Sequence, residues 1–312
     1  MKAKHVIIYL LLVIVTSSCI RDEAPNAEAD ILSCRLPGIT MTTSPIINNN
    51  SVTLFVTPGT NISALAPEFT LTSGATITPA SGTERNFNSP QEYQVTAADG
   101  IWKKTYAISV IDTELATIYN FEDTISGKKY YIFVERENDK VIMEWASGNA
   151  GYAMTGVAKT ADDYPTFQIA NGKNGKCLSL VTRSTGFFGG LVGMPIAAGN
   201  LFIGSFDVNN AMSNPLQATK FGLPFRHVPT YLAGYYKYKA GDQFTEGGKP
   251  VEGKRDICDI YAIMYETSVS VPTLDGTNAF TSPNLVSMAR IKDAKETDEW
   301  TYFKLPFTTL PG

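Results

Sequence analysis

Aromatic and cationic side chains concentrate in residues 231–239, where the sequence reads YLAGYYKYK. In a β-strand successive side chains point to opposite faces, so Tyr236 and Tyr238 share one face, while Tyr235 lies on the other with Lys237. Flat amphipathic rings beside hydrogen-bonding groups suit sugar rings, which have an apolar face and hydroxyls at the edge. The run therefore predicts either a saccharide-stacking surface or tyrosines that fill a β-sandwich.

A second strand-like segment, ICDIYAIMYE at 257–266, offers a carboxylate beside tyrosines. Period-2 alternation puts Asp259, Tyr261 and Tyr265 on the face opposite the apolar one. There the acid would accept hydrogen bonds from sugar hydroxyls while the rings stack on the sugar. The alternative is a strand buried on both faces, because Ile257 and Ile263 share the face of Asp259.

The pair Phe187-Phe188 is flanked by Gly186 and by Gly189-Gly190. Glycines on both sides favour a loop, in which two large apolar rings are not buried by a strand of their own. The pair is expected either to cover a bound ligand or to anchor a partner protein.

Candidates for catalysis are carboxylates rather than histidine. His227 is the only histidine after residue 5, no GxSxG pattern accompanies it, and a structural role is expected for it. Glycoside hydrolysis needs only two suitably spaced carboxylates. We consider these acids as candidates: Glu122, Asp123, Glu144, Asp207, Asp259 and Glu266. The spacing of the carboxyl groups does not follow from the sequence, which leaves catalysis undecided and favours a protein without it.

Charge and cysteine content exclude some partners and cofactors. The chain has a net charge of −4 and no basic stripe, so nucleic acid is not an expected partner. Cys34, Cys177 and Cys258 are far apart and show no metal-binding spacing, so no metal or cofactor is expected from them. At most one disulfide is compatible with these three cysteines, and its existence stays open.

The N-terminus resembles a bacterial lipoprotein signal. MKAKH is basic, VIIYLLLVIV is apolar but too short to span a bilayer, and TSSC supplies small residues before Cys19. We expect a signal peptide over 1–18, lipid on Cys19, and an acidic tether over 19–34. This implies a protein held by lipid in the outer membrane, facing the cell exterior. An ordinary secretory peptide or an uncleaved anchor is the alternative, and Thr16 departs from the commoner leucine.

The next segment, 35–112, reads as short β-strands broken by Gly and Pro turns. Asp99-Gly100 lies between two alternating runs and predicts a hairpin. Tyr93, Val95 and Ala97 are expected on one face of its first strand, and Tyr106, Ile108 and Val110 on one face of its second. An immunoglobulin-like β-sandwich fits this pattern, and the segment resembles the spacer module of surface lipoproteins of gut bacteria. Residues 112–114 form the expected hinge after it.

The domain predicted for 119–312 carries a family resemblance. Its motifs, in order, are NFED (120–123), WASGN (145–149), YPT (164–166), AAGNLFIGSF (197–206), TKFGLPF (219–225) and LAGYYKYKAG (232–241). They resemble the putative carbohydrate metabolism domain family, PCMD. The resemblance implies a jelly-roll β-sandwich like galactose-binding domains, and glycan use at the surface of gut bacteria. Further strands are expected beyond Gly312, so the domain is expected to be truncated there. Jelly-roll sugar-binding modules also suggest a structural calcium ion, without an EF-hand pattern to support it.

These expectations combine into an all-β surface lipoprotein that binds glycan non-catalytically in a glycan-uptake apparatus, alongside other uptake proteins. The first alternative is a glycoside hydrolase that uses a carboxylate pair. The second is an adhesin or assembly subunit that makes its protein contact through Phe187-Phe188.

Overall fold

A computed structural model of the chain describes residues 26–268 and 270–310. The predicted signal peptide, the lipid-attachment residue Cys19 and the chain end at Gly312 lie outside the described residues. Strands dominate and helices are short, which confirms the all-β fold class. The immunoglobulin-like and jelly-roll arrangements of the strands stay predictions. No helix in the described part of the chain has the length and apolar character needed to cross a bilayer.

The first seven strands belong to the N-terminal part of the chain. They are β1 (Ile31–Arg35), β2 (Ile46–Ile47), β3 (Ser51–Phe55), β4 (Glu68–Leu71), β5 (Thr76–Thr78), β6 (Gln91–Thr96) and β7 (Lys103–Ile111). Five of them form one sheet in the order β2-β3-β7-β6-β5, in which only the β3–β7 pair is parallel, and β1 pairs with β4.

One apolar core joins these two sheets. The predicted hairpin is present as β6 and β7, and the six side chains predicted to share a face of its strands are all buried. The Phe69 ring of β4 lies 5.0 Å from the Tyr93 ring of β6, so the two-stranded sheet covers the larger one. Full burial of a Val, Leu or Ile side chain contributes about 1.5–3 kcal/mol, and this core contains several such residues.

The end of the predicted acidic tether takes part in this core. Ala29, Ile31 and Cys34 are buried, and β1 runs through the last four tether positions. Apolar residues at these positions bury surface against the sheet, so residues 29–34 are part of the folded unit and the tether ends before them.

Strands of the C-terminal part form several smaller sheets. They are β8 (Val134–Glu137), β9 (Lys140–Ala146), β10 (Thr166–Ile169), β11 (Cys177–Leu180), β12 (Arg183–Ser184), β13 (Ile196–Ala197), β14 (Phe202–Phe206), β15 (Thr219–Phe221), β16 (Tyr231–Tyr238), β17 (Thr245–Glu246), β18 (Lys249–Pro250), β19 (Tyr261–Tyr265), β20 (Leu285–Arg290), β21 (Thr297–Pro306) and β22 (Thr308–Thr309). The sheets are β15-β14-β9-β8, β19-β20-β22, and the pairs β16–β21, β10–β11, β12–β13 and β17–β18.

Short helices connect some of these strands. They are α1 (Asn149–Tyr152), α2 (Gly186–Leu191) and α3 (Pro215–Ala218), with 3₁₀ turns at Ala153–Thr155, Ala161–Asp163 and Val208–Asn210. Asn149 fixes α1 because its buried side-chain amide donates to the Thr166 carbonyl (2.7 Å) and accepts from the Thr166 amide (3.1 Å). This contact ties the WASGN motif to the YPT motif.

Candidate functional site

The pair β16–β21 presents one face to solvent and the other to the protein. Along β16 the exposed residues are Tyr231, Ala233, Tyr235 and Lys237, and each residue between them is half-buried. This alternation is the period-2 pattern of a strand with one covered face. The sequence predicted two faces here, and the structure identifies the face of Tyr235 as the outer one.

The outer face carries a row of aromatic rings. Tyr302 of β21 pairs directly with Tyr235, and the two ring centroids are 5.2 Å apart. Tyr231, Tyr235 and Tyr302 are 52%, 47% and 55% exposed, so a ligand can reach all three. Trp300, two residues before Tyr302 on β21, lies on the same face and is half-buried.

Three of these rings each have a different lysine side chain above them. The Nζ atom of Lys304 is 4.1 Å from the Tyr231 centroid, that of Lys173 is 4.1 Å from the Tyr235 centroid, and that of Lys237 is 5.4 Å from the Trp300 centroid. These distances are within the range of cation–π attraction. We call this surface the aromatic–lysine face, and it consists of Lys173, Tyr231, Tyr235, Lys237, Trp300, Tyr302 and Lys304.

The inner face of β16 has a structural role. The Tyr236 hydroxyl donates to the Lys295 carbonyl (3.4 Å), and its ring lies 6.2 Å from that of Phe303. The Tyr238 hydroxyl is buried without a partner among the described residues, and burial raises its pKa to about 12. Tyr236 and Tyr238, both predicted as candidates for sugar binding, therefore point away from the aromatic–lysine face.

The predicted carboxylate at Asp259 is engaged by an arginine. Arg290 binds both carboxylate oxygens, with Nε–Oδ1 at 3.0 Å and Nη2–Oδ2 at 2.8 Å. The guanidinium also lies 4.3 Å from the Phe280 centroid, and the Phe280 ring is 5.0 Å from that of Tyr261. A sugar hydroxyl would have to compete with this bidentate ion pair for the carboxylate.

Tyr265, the third residue of that predicted face, has a separate partner. Its hydroxyl donates to the Phe221 carbonyl at the end of β15. A side chain on Gly222, whose φ is +101°, would run into the Tyr265 ring. Tyr265 thus fastens the TKFGLPF motif rather than offering its hydroxyl to a ligand.

Phe187 and Phe188 lie on helix α2, where the sequence favoured a loop. The expectation of a loop was wrong because the glycines at 189 and 190 take helical conformations. Phe187 is 83% exposed and Phe188 is 45% exposed, so the exposure expected for the pair is present. Leu191 and Val192 extend the exposed apolar surface.

The NFED segment lies beside the aromatic–lysine face. Phe121 has a φ of 57°, an uncommon conformation for a residue with a large side chain. The Gln168 side chain of β10 holds it by donating to the carbonyls of Phe121 (2.7 Å) and Glu122 (3.0 Å). The Glu122 carboxylate then accepts the backbone N–H of Lys176 at 2.9 Å, in the turn between β10 and β11. That turn carries Lys173, so NFED supports one end of the face.

A second group of acids lies beside Trp145. The indole Nε1 donates to Glu135 Oε1 at 2.9 Å. Burial raises the pKa of Glu135, the Trp145 hydrogen bond opposes this, and the charge of Asp123 adds to the increase. Burial also raises the pKa of Tyr119 to about 12, and its ring lies 5.0 Å from Trp145. Asp123 was among the acids predicted from the sequence, but Glu135 was not, because nothing local to β8 indicates its contact with Trp145.

The remaining candidate acids have separate surroundings. Crowding by protein atoms raises the pKa of Glu144, and nearby Lys128 opposes it, although Glu144 as a whole stays exposed. Asp207 accepts from the Asn209 amide (3.0 Å) and the Asn210 side chain (2.6 Å), and so begins a 3₁₀ turn. Glu266 is exposed, and its backbone pairs with Asn284. His227 lies 2.8 Å from Glu114 at the junction with the N-terminal part.

Possible metal ligands and thiols were located among the described residues. No group of three or more His, Cys, Asp or Glu side chains there is arranged to hold a metal ion, and the calcium expectation stays untested. Cys34, Cys177 and Cys258 are free thiols in the structure.

Two family comparisons cover most of the chain. Residues 120–312 match the family described as "Putative carbohydrate metabolism domain", PCMD. Residues 31–110 match the N-terminal domain of SGBP, a family of glycan-binding surface proteins, which indicates a surface-associated protein. No match was found among curated proteins.

The crystal structures similar to this chain include two that are described as a putative glycoside hydrolase. The one from Bacteroides thetaiotaomicron is 85% identical with a TM-score of 0.89, and the match covers 94% of this chain and 86% of that chain. The one from Bacteroides vulgatus is 48% identical with a TM-score of 0.57, and the match covers 61% of this chain and 78% of that chain. The motifs from NFED to LAGYYKYKAG thus lie in a carbohydrate-related domain, and the chain belongs to the PCMD family.

Proposed function

We propose that this protein binds carbohydrate, without hydrolysing it, through the aromatic–lysine face. The observation that carries the proposal is the row of exposed rings on the outer side of β16–β21. Exposed aromatic rings are costly to leave in water, and the apolar faces of sugars can cover them. The neighbouring phenolic hydroxyls and lysines supply hydrogen bonds to sugar hydroxyls.

The proposal includes a location. Lipid on Cys19 would hold the protein in the outer membrane, facing the cell exterior, with the immunoglobulin-like unit as a spacer. The match to the N-terminal domain of glycan-binding surface proteins supports this setting. Other glycan-uptake proteins at the same membrane would receive the bound glycan.

The test is polysaccharide binding by residues 26–312, measured by affinity electrophoresis and calorimetry. Tyr235→Ala and Tyr302→Ala each remove a ring that a ligand would cover, and each is expected to weaken binding about tenfold. Trp102→Ala is the matched control, because Trp102 is 63% exposed on the N-terminal part. Equal binding by all three variants would contradict the proposal, provided that circular dichroism shows each one folded.

A glycoside hydrolase is the second candidate function, and the Glu135–Asp123 pair favours it. A carboxyl with a raised pKa beside a second carboxylate is the arrangement that general acid catalysis uses. Both similar crystal structures are also described as putative glycoside hydrolases.

Reducing-sugar release separates the two functions. We expect none from any polysaccharide that binds. Release that disappears in Glu135→Gln, but persists in the exposed strand variant Glu137→Gln, would replace binding by hydrolysis as the function.

The exposed apolar surface of α2 allows a direct test of the alternative in which the protein is an adhesin or assembly subunit. Phe187→Ala removes its most exposed ring. If glycan binding is the function, this variant keeps full affinity for polysaccharide. If Phe187→Ala lowers association with other uptake proteins instead, the surface of α2 is a protein contact.

A further inference from the structure

The aromatic–lysine face differs in charge from the chain as a whole. The chain has a net charge of −4. Yet Lys173, Lys237 and Lys304 are exposed, and none of them makes an ion pair with any carboxylate in residues 26–268 and 270–310. The contacts that the structure gives their ammonium groups are with aromatic rings. These three positive charges are available to a ligand.

None of the acidic side chains near the face pairs with these three lysines. Glu122 is the carboxylate tied to the turn of Lys173, and it already accepts the Lys176 amide. Asp298 and Glu299 precede Trp300 on β21, and neither makes an ion pair among the described residues. The three lysines also come from three chain segments, so their convergence on one row of rings is a property of the fold.

The lysine ammonium groups lie over the same ring faces that a sugar would cover. A neutral sugar that stacks on Tyr231 or Tyr235 must displace the lysine above the ring, and it loses the cation–π attraction without replacing it. An acidic sugar that stacks there offers the displaced ammonium a carboxylate or sulfate oxygen instead. Displacing the lysine therefore lowers the affinity for a neutral ligand. For an acidic ligand, the displaced lysine forms a new ion pair.

We propose that the aromatic–lysine face selects acidic saccharides, whose carboxylate or sulfate groups pair with Lys173, Lys237 and Lys304. This inference rests on the proposed function. From Tyr231 to Lys237 the strand spans about 20 Å at 3.4 Å per residue. A face of that length suits several linked acidic sugar units rather than one.

The experiment compares each acidic polymer with its own neutralised form. Polygalacturonate and alginate are paired with their carboxyl-reduced products, and heparin is paired with desulfated heparin. Residues 26–312 are expected to bind at least one acidic polymer about tenfold more tightly than its neutralised form. Binding is also expected to weaken between 50 and 500 mM NaCl, because exposed ion pairs are screened by salt. Comparing the polymers shows whether carboxylate or sulfate is preferred.

Substitutions distinguish specific pairing with the lysines of the face from general attraction of a polyanion to the protein. Lys173→Gln and Lys304→Gln are expected to remove most of the preference for the acidic form, whereas Lys103→Gln, an exposed lysine of β7, leaves it unchanged. Tyr235→Ala must weaken binding too. If Tyr235→Ala has no effect on acidic polymers, attraction of any polyanion explains the result and the inference is overturned.

Other outcomes distinguish the preference for acidic saccharides from carbohydrate binding itself, on which it rests. Equal or tighter binding of the neutralised polymer, still lost in Tyr235→Ala, overturns the acidic preference and keeps carbohydrate binding at this face. Absence of binding to every polymer, acidic and neutral, overturns both.

Discussion

Gly234 lets the two strands under the aromatic–lysine face approach closely. A Cβ atom at this position would lie 2.9 Å from Cζ and 3.1 Å from Cε1 of Phe303. Such contacts are too short for carbon atoms, so the ring or the strand must move. The ring of Phe303 covers the inner side of β16 because residue 234 has no side chain.

Gly234→Ala is expected to lower the free energy of unfolding by about 1–3 kcal/mol, as other overpacked positions do. Urea denaturation measures the change. Gly190→Ala is the matched control, because no atom would lie within 4 Å of its added Cβ and its φ is not positive. That variant should be neutral or slightly stabilised. An unchanged midpoint for Gly234→Ala would show that Phe303 moves aside at no cost.

Cys34 differs from the other two described cysteines in its surroundings. It is buried in the N-terminal core, and burial raises its pKa to about 12. Because the thiolate is the reactive form, Cys34 in residues 26–312 is expected to resist iodoacetamide at pH 8 until the chain unfolds. Cys177 and Cys258 are only half-buried and should react first. Mass spectrometry of labelled peptides measures the order, and equal rates at all three sites would contradict it.

Asp30 links the start of the folded chain to β7. The Lys104 side chain donates to its carboxylate at 2.5 Å and the Tyr106 hydroxyl at 3.0 Å. The Lys104 hydrogen bond is the main cause that lowers the pKa of Asp30, and burial opposes it. This stabilisation is present above the unfolded pKa, about 3.9. It is lost as pH falls through the lower folded value.

The N-terminal part should therefore lose stability as the pH falls below about 4. Asp30→Asn removes the titrating group and should flatten that dependence. Urea midpoints at several pH values measure it. An identical pH profile in the variant would assign the acid sensitivity to other carboxylates.

At the scale of elements, the NFED segment and the β10–β11 turn act together. Glu122 accepts the Lys176 amide, and Gly175, with a φ of +73°, leaves room for the carboxylate. Glu122→Ala removes this contact without touching a ring of the aromatic–lysine face. Affinity for an acidic polymer should fall a few-fold, because Lys173 is positioned less well.

Glu137→Ala, on the exposed end of β8, is the control for this prediction. The same loss of affinity in Lys173→Gln and in the double variant Glu122→Ala/Lys173→Gln would show that Glu122 acts through Lys173. Fully additive losses would contradict it.

Sequence patterns predicted the secondary-structure elements that are determined by neighbouring residues. The β6–β7 hairpin follows from Asp99-Gly100 and from alternation on both sides, and the residues predicted to share a face are the buried ones. Alternation in β16 also separated Tyr235 from Tyr236, but it could not tell which face the protein covers. That choice depends on Phe303, which is distant in sequence.

The parts of the site that could not be predicted from the sequence are contacts between residues far apart in the chain. Lys173 reaches Tyr235 from another hairpin, and Arg290 reaches Asp259 from a neighbouring strand. Neither partner is marked by a motif. Asp259 therefore looked like a free carboxylate, and the lysines over the rings were visible only after folding.

For the whole molecule, the predicted hinge is held by an ion pair and by a contact between a histidine and a carboxylate. Asp112 accepts from Lys140 of β9 at 2.6 Å, and Glu114 lies 2.8 Å from His227. Residues of both parts, among them Phe55 and Phe225, line a cavity beside these pairs. The hinge residues thus make contacts that link the N-terminal part to the PCMD domain.

Asp112→Asn combined with Glu114→Gln should loosen this link. Each exposed or partly exposed pair contributes about 1 kcal/mol or less, so both parts stay folded. Proteolysis at residues 112–118 should become faster, and calorimetry should resolve two unfolding transitions more clearly. Glu137→Gln is the control, and an unchanged cleavage rate would show that apolar contacts hold the junction.

The turn that carries Lys173 has a consequence for how such proteins diversify. Surface turns tolerate substitution, insertion and deletion better than the strands they connect. In this chain one such turn supplies a charge over a ring that belongs to another sheet. New glycan preferences could therefore arise by exchange of a few turn residues while the sheet, its buried face and its folding stay as they are. Grafting turns from relatives onto this sheet would change the charge over Tyr235 without changing the strands beneath it.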